Sequence, residues 1–102
     1  MSSENNSNEI NATYNALKDS KPMRNGELIG EEDERFYVAL GEEVYELSPL
    51  AYYVWAMCDG EHTVGELAES ISVNVGVELK EVIAPLVATL SQLHDAGLIN
   101  YN

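Results

Sequence analysis

The sequence predicts an α+β domain in which a three-stranded antiparallel β-sheet packs on three α-helices in a winged-helix-like order. Three observations predict it. Residues 36–47 alternate apolar and polar about a Gly-Glu pair, two helix-start signals flank an Asp-Gly turn, and a long apolar stripe of helical period closes the chain. At 102 residues, the chain suits one small domain with a single modest core.

Residues 1–22, MSSENNSNEINATYNALKDSKP, are rich in Ser, Asn and charge. Their apolar content is too small to offset the entropy of ordering, so they are expected to form a flexible, acidic and polar N-terminal tail ahead of a domain over 23–102. Ile10, Tyr14 and Leu17 fall at i, i+4 and i+7, which allows a transient helix there. GELIG (26–30) reads as a first strand and EEDER (31–35) as a charged turn.

The hairpin FYVALGEEVYEL predicts its own register. With Gly41-Glu42 as a two-residue loop, a glycine in first place fits a type II′ turn. Leu40 then faces Glu43, Val38 faces Tyr45, and Phe36 faces Leu47. Those five apolar side chains and Glu43 share one face, while Tyr37, Ala39, Val44 and Glu46 share the other.

Ser48-Pro49 opens a helix, a capping hydroxyl followed by proline at the first helical position. Asp59-Gly60 ends it. Thr63 and Glu66 make a capping box for the next helix, whose buried face is Val64, Leu67, Ala68 and Ile71. The last helix, over 79–96, sets its apolar residues in an arc of about 140° at 100° per residue. A core-facing stripe needs about 100°, so apolar edges are left over. Pro85 predicts either a kink or a regular helix that begins near Ala84. LINYN is expected to end the chain as a short added strand.

The charge excludes whole classes of partner. Five basic residues oppose eighteen acids, a net charge of −13, and beyond Phe36 only Lys80 is basic. Proteins that grip phosphates draw affinity from Lys and Arg, so DNA, RNA and anionic membranes are not expected partners despite the helix-turn-helix order. The polar amino terminus is unlike a secretory signal, no apolar run is long enough to span a membrane, and a single cysteine fits a reducing cytoplasm.

Catalytic signatures are missing. His62 and His94 have no Cys or His at ligand spacing, so no metal site and no cofactor are expected. Cys58, on an apolar helical stripe, reads as a small buried hydrophobe rather than a nucleophile. Trp55 reads as core.

Leu47-Ser48, Ala51, Val54-Trp55, Met57-Cys58-Asp59-Gly60, Thr63-Val64 and Glu66-Leu67 together resemble the signature of the PqqD family. In that family Leu-Asn, Ala, Ile-Trp, Leu-Leu-Asp-Gly, Thr-Val and Glu-Ile or Glu-Leu recur at the same intervals. The likeness continues through Gly76-Val77 and Gly97-Leu98-Ile99, over about residues 26–99. The resemblance implies a winged-helix peptide chaperone, or precursor-peptide recognition element, with no catalytic role. Such proteins bind the leader of a ribosomally made peptide and present it to a modifying enzyme, often a radical S-adenosylmethionine enzyme. The leader adds as a strand to the sheet edge, beside the third helix.

Carried onto this chain, the resemblance places the edge strand at Glu43, Val44, Tyr45, Glu46 and Leu47. It places the groove wall at Val82, Pro85, Leu86 and Thr89. Val44 and Leu86 read equally well as peptide contacts and as ordinary core or half-exposed strand. Glu43 and Glu46 would favour a leader with Lys or Arg at facing positions. Ser48 stands where the family has Asn, and Pro85 is a departure that would reshape the groove. An open edge can also pair with its own copy, so a homodimer stays open. The rival reading is a winged-helix adaptor or transcription-regulator-like protein that acts through protein partners.

Overall fold

The computed structural model describes residues 2–101. In chain order they form α1 (Ser2–Leu17), β1 (Pro22–Arg24), β2 (Glu27–Glu32), β3 (Arg35–Leu40), β4 (Glu43–Leu47), α2 (Pro49–Met57), α3 (Val64–Val75), α4 (Leu79–Asp95) and β5 (Ile99–Tyr101). The main sheet is antiparallel in the order β2-β3-β4, and β1 pairs with β5 in a separate two-stranded ribbon.

Turn chemistry builds the main sheet. Gly41 has φ 63° while Glu42 stays out of the left-handed region, as a type II′ turn requires. The predicted pairs Leu40–Glu43, Val38–Tyr45 and Phe36–Leu47 are all present. At the other hairpin, Asp33 and Glu34 carry φ of 52° and 62°, a two-residue loop with both central residues left-handed. Without glycine there, each of these residues costs about 1–2 kcal/mol. Val38 and Leu47 are buried, with Phe36, Leu40 and Tyr45 packed against the same core. Phe36 stacks on Tyr52 of α2 with centroids 4.1 Å apart, which fixes the sheet against that helix.

Capping sets the helices. The Ser48 side chain accepts from the Ala51 N–H with Pro49 at the helix start, and α2 stops before the Asp59-Gly60 turn. Thr63 and Glu66 form the complete capping box of α3, which buries Val64, Leu67, Ala68 and Ile71. The next two orphan donors of α3 are also met: the Val64 and Gly65 N–H groups donate to the carbonyls of Ser20 and Lys18, each at 2.9 Å. α4 runs unbroken from Leu79 through Pro85, so regular helix does not wait for Ala84. Among the core residues, Trp55 is 5% exposed, and its indole N–H donates to the Asn25 carbonyl at 3.1 Å.

Two elements differ from the sequence reading. For the tail of residues 1–22, of which Met1 lies outside the described residues, the sequence predicts at most a transient helix. The structure has α1 over Ser2–Leu17, laid on α4, with Tyr14 and Leu17 packed on the core. The reason is tertiary. Leu17 and Val87 line one cleft between α1 and α4, and Ile10 and Ile83 line another, so α1 takes up part of the excess apolar arc of α4. The described residues therefore form four helices. The second difference is β1. The strand expected within LINYN is present over Ile99–Tyr101, with Asn102 outside the described residues. Its partner is Pro22–Arg24, a stretch with no strand signal of its own. The Gly60 N–H also donates to the Pro22 carbonyl, and the Arg24 N–H to the Cys58 carbonyl, both at 2.8 Å.

Candidate binding site at the open sheet edge

Strand β4 is the last strand of its sheet, and its outer edge has no backbone partner among the described residues. Antiparallel pairs alternate between those that exchange hydrogen bonds and those that do not. A two-residue loop makes Leu40–Glu43 a bonded pair, so Val38–Tyr45 and Phe36–Leu47 are bonded as well. Val44 and Glu46 therefore point both N–H and C=O outward. Two donors and two acceptors line the open edge.

Beyond that edge lies a cleft of ≈ 340 Å³, walled by Tyr45 and Leu47 of β4, Ala51 of α2, and Gln92, Leu93 and Ala96 of α4. Leu98 also contributes, and Glu46 is the one charged residue in the lining. Backbone donors beside a half-apolar trough suit an extended peptide. Glu46 lies 3.6 Å from the Arg35 side chain, with both side chains largely in water, so the pair adds little stability.

The structure separates the predicted site residues into two groups. Glu43, Val44 and Glu46 are exposed, Val44 at 57%, Tyr45 is half-buried, and Leu47 is buried. Val82, Pro85 and Leu86 instead line a different cleft of ≈ 240 Å³, shared with α2 and α3 rather than with β4. Thr89, 8% exposed, sits on α4 between these stretches. The half of α4 that meets the β4 cleft is the C-terminal half. Gln92, Leu93 and Ala96 were missed, and a signal for them was present: Gly97 followed by a closing strand turns the end of α4 toward the sheet. A Cβ at Gly97 would lie 3.4 Å from the Leu40 side chain.

The reactive residues lie outside both clefts. Cys58 is fully buried, its thiol donates to the Val54 carbonyl at 3.2 Å, and burial pushes its pKa up to about 12. A thiol held protonated is a poor nucleophile. The Asp59 carboxylate accepts from the backbone N–H groups of Glu61 and His62 at 2.9 and 3.0 Å, and contacts His62 Nδ1 at 2.7 Å. This is a turn brace. Among the described residues, no group of three or more His, Cys, Asp or Glu is placed to hold a metal ion, and no helix is long and apolar enough to cross a membrane.

A model of the family described as coenzyme PQQ synthesis protein D (PqqD) matches residues 32–99. The match takes in β3, β4, the whole of α2, α3 and α4, and the start of β5. No curated protein and no solved structure matches the chain.

Proposed function

This chain belongs to the PqqD family of peptide-binding accessory proteins, and from that premise we propose that it is a non-enzymatic chaperone for the leader of a ribosomally made precursor peptide. The leader adds as a strand to the outer edge of β4 and rests its side chains in the cleft formed with Gln92, Leu93 and Ala96. The chaperone then presents the peptide to a modifying enzyme of the radical S-adenosylmethionine type, in the cytoplasm. The observation that supports this reading is the edge of β4, unpaired among the described residues, beside a cleft of ≈ 340 Å³.

Magnitudes say what each part contributes. Four outward backbone groups, at about 0.5–1.5 kcal/mol net per hydrogen bond, supply roughly 2–6 kcal/mol. A micromolar complex needs about 8 kcal/mol after the cost of ordering the peptide. The backbone alone falls short, so the cleft must supply the rest and with it the specificity. Glu43 and Glu46 favour Lys or Arg at the facing leader positions. Val82, Pro85 and Leu86, walled off in the other cleft, are not required for this contact.

The test is a titration of the full chain with the leader of a short peptide encoded beside it, followed through backbone amide NMR. Shifts should centre on Val44, Glu46, Gln92 and Ala96. Shifts confined to α1, or no binding at micromolar protein, would overturn the proposal.

A further inference from the structure

The cleft between α2, α3 and α4 is the more apolar of the two and shares no lining residue with the cleft at the open strand. Val82 and Leu86 form its buried floor, while Leu50, Val75 and Val77 stand around it at 44%, 63% and 37% exposure. Single exposed apolar side chains are ordinary on protein surfaces, but convergence around one concavity marks an interaction surface. The rim is also held in place. Gly76 takes φ 81°, and the N–H groups of Gly76 and Val77 both donate to the Ser72 carbonyl, at 2.9 and 3.2 Å. That closed helix end fixes Val77 where it stands.

We propose that this cleft docks a helix of a partner protein, one that inserts a large apolar anchor and carries Lys or Arg beside it. No strand lines the cleft, so an incoming segment finds no backbone partners there. A helix satisfies its own backbone and needs none. The volume of ≈ 240 Å³ suits anchoring side chains and not a whole polypeptide strand.

Charge selects the partner. Glu81 is the one charged residue in the lining. Its carboxylate accepts hydrogen bonds at the rim, and a cationic side chain answers it. Lys80 does not: it lines the cleft on the α1 side of α4, and its amine lies 3.6 Å from Glu78. A second copy of this chain, at −13, would bring acid against acid.

The surface stands apart from the leader groove, so the two are separately testable. The full chain is titrated with three synthetic helical peptides: leucine stripe with lysines, the same stripe with glutamates, and lysines without leucines. Only the leucine–lysine peptide should shift the amides of Leu50, Val75, Val77 and Glu81. Val75→Lys, a change at an exposed position, should weaken it at least tenfold while thermal melting stays unchanged. Equal binding of either control peptide, or shifts spread over the acidic surface, overturns the inference. So does a concentration-dependent dimer in sedimentation that Val75→Lys abolishes, which would make the occupant a second copy. A leader that still shifts β4 while the helical peptides leave this cleft untouched removes the docking inference alone.

Discussion

Strands β2 and β4 flank the same central strand, both carry glutamates, and both have outer edges unpaired among the described residues. They differ in what lies along the edge and behind it. β2 is interrupted between Leu28 and Gly30, where Ile29 has no opposite partner and is 57% exposed. A bulge of this kind breaks the regular spacing of outward donors and acceptors, one of the ways natural sheets blunt an edge. β4 keeps its register from Glu43 to Leu47, packs on α2 and borders the ≈ 340 Å³ cleft. An unpaired edge alone does not make a peptide site. Regular spacing with a cleft beside it is what the proposed site at β4 adds.

Stability offers the largest contrast between the two strands. Leu47, 7% exposed, anchors β4 in the core, whereas Leu28 on β2 is 41% exposed. Leu47→Ala should cost about 2–5 kcal/mol in denaturant unfolding, and Leu28→Ala less than ~1 kcal/mol. Equal losses would mean that β2 is as firmly backed as β4, and the asymmetry would be gone.

A proline on each edge sharpens the comparison next. Val44→Pro removes an outward N–H without touching the ladder to β3, a position an edge strand tolerates. Leader affinity should fall about tenfold, which is about 1.4 kcal/mol. Glu31→Pro, the matching outward position on β2, should leave affinity unchanged. Indistinguishable calorimetric affinities for wild type and Val44→Pro would rule out strand addition at β4.

The smallest effect belongs to a change that should favour neither edge. Hydrogen bonds from the Glu61 and His62 N–H groups, then the His62 ring, lower the Asp59 pKa from the usual 3.8 to about 2. Asp59 also bridges Met23, away from β2 and β4. A depressed carboxylate contributes stability that is present above the unfolded pKa and lost as pH falls through the folded one. The melting temperatures of wild type and Asp59→Ala should therefore differ at pH 6 and converge toward pH 2. Amide exchange on β2 and β4 should rise together in the variant. A gap that persists unchanged at pH 2 would exclude the charged carboxylate as its source.

Much of the frame was legible in the residues because its determinants are local. Gly41 and strict alternation set the register from Phe36 to Leu47, and Ser48, Thr63 and Glu66 mark the helix starts. α1 and β1 were not legible, since neither carries its own reason to exist. Ile10 and Leu17 gain a stable helix only against the spare apolar side of α4, and Pro22–Arg24 becomes a strand only because β5 and the turn after α2 lie beside it. The candidate site split along the same line: its strand was readable, its facing wall was not.

By itself the sequence determined the family signature, the hairpin register, the helix caps and a net charge of −13. Each follows from neighbours along the chain, or from a plain sum of charges. Only the tertiary structure decided which half of α4 meets the open edge, and that the apolar surplus of this helix is divided between α1 and a second cleft. A periodic stripe specifies that a helix has something to bury, but what it is buried against depends on elements distant in sequence.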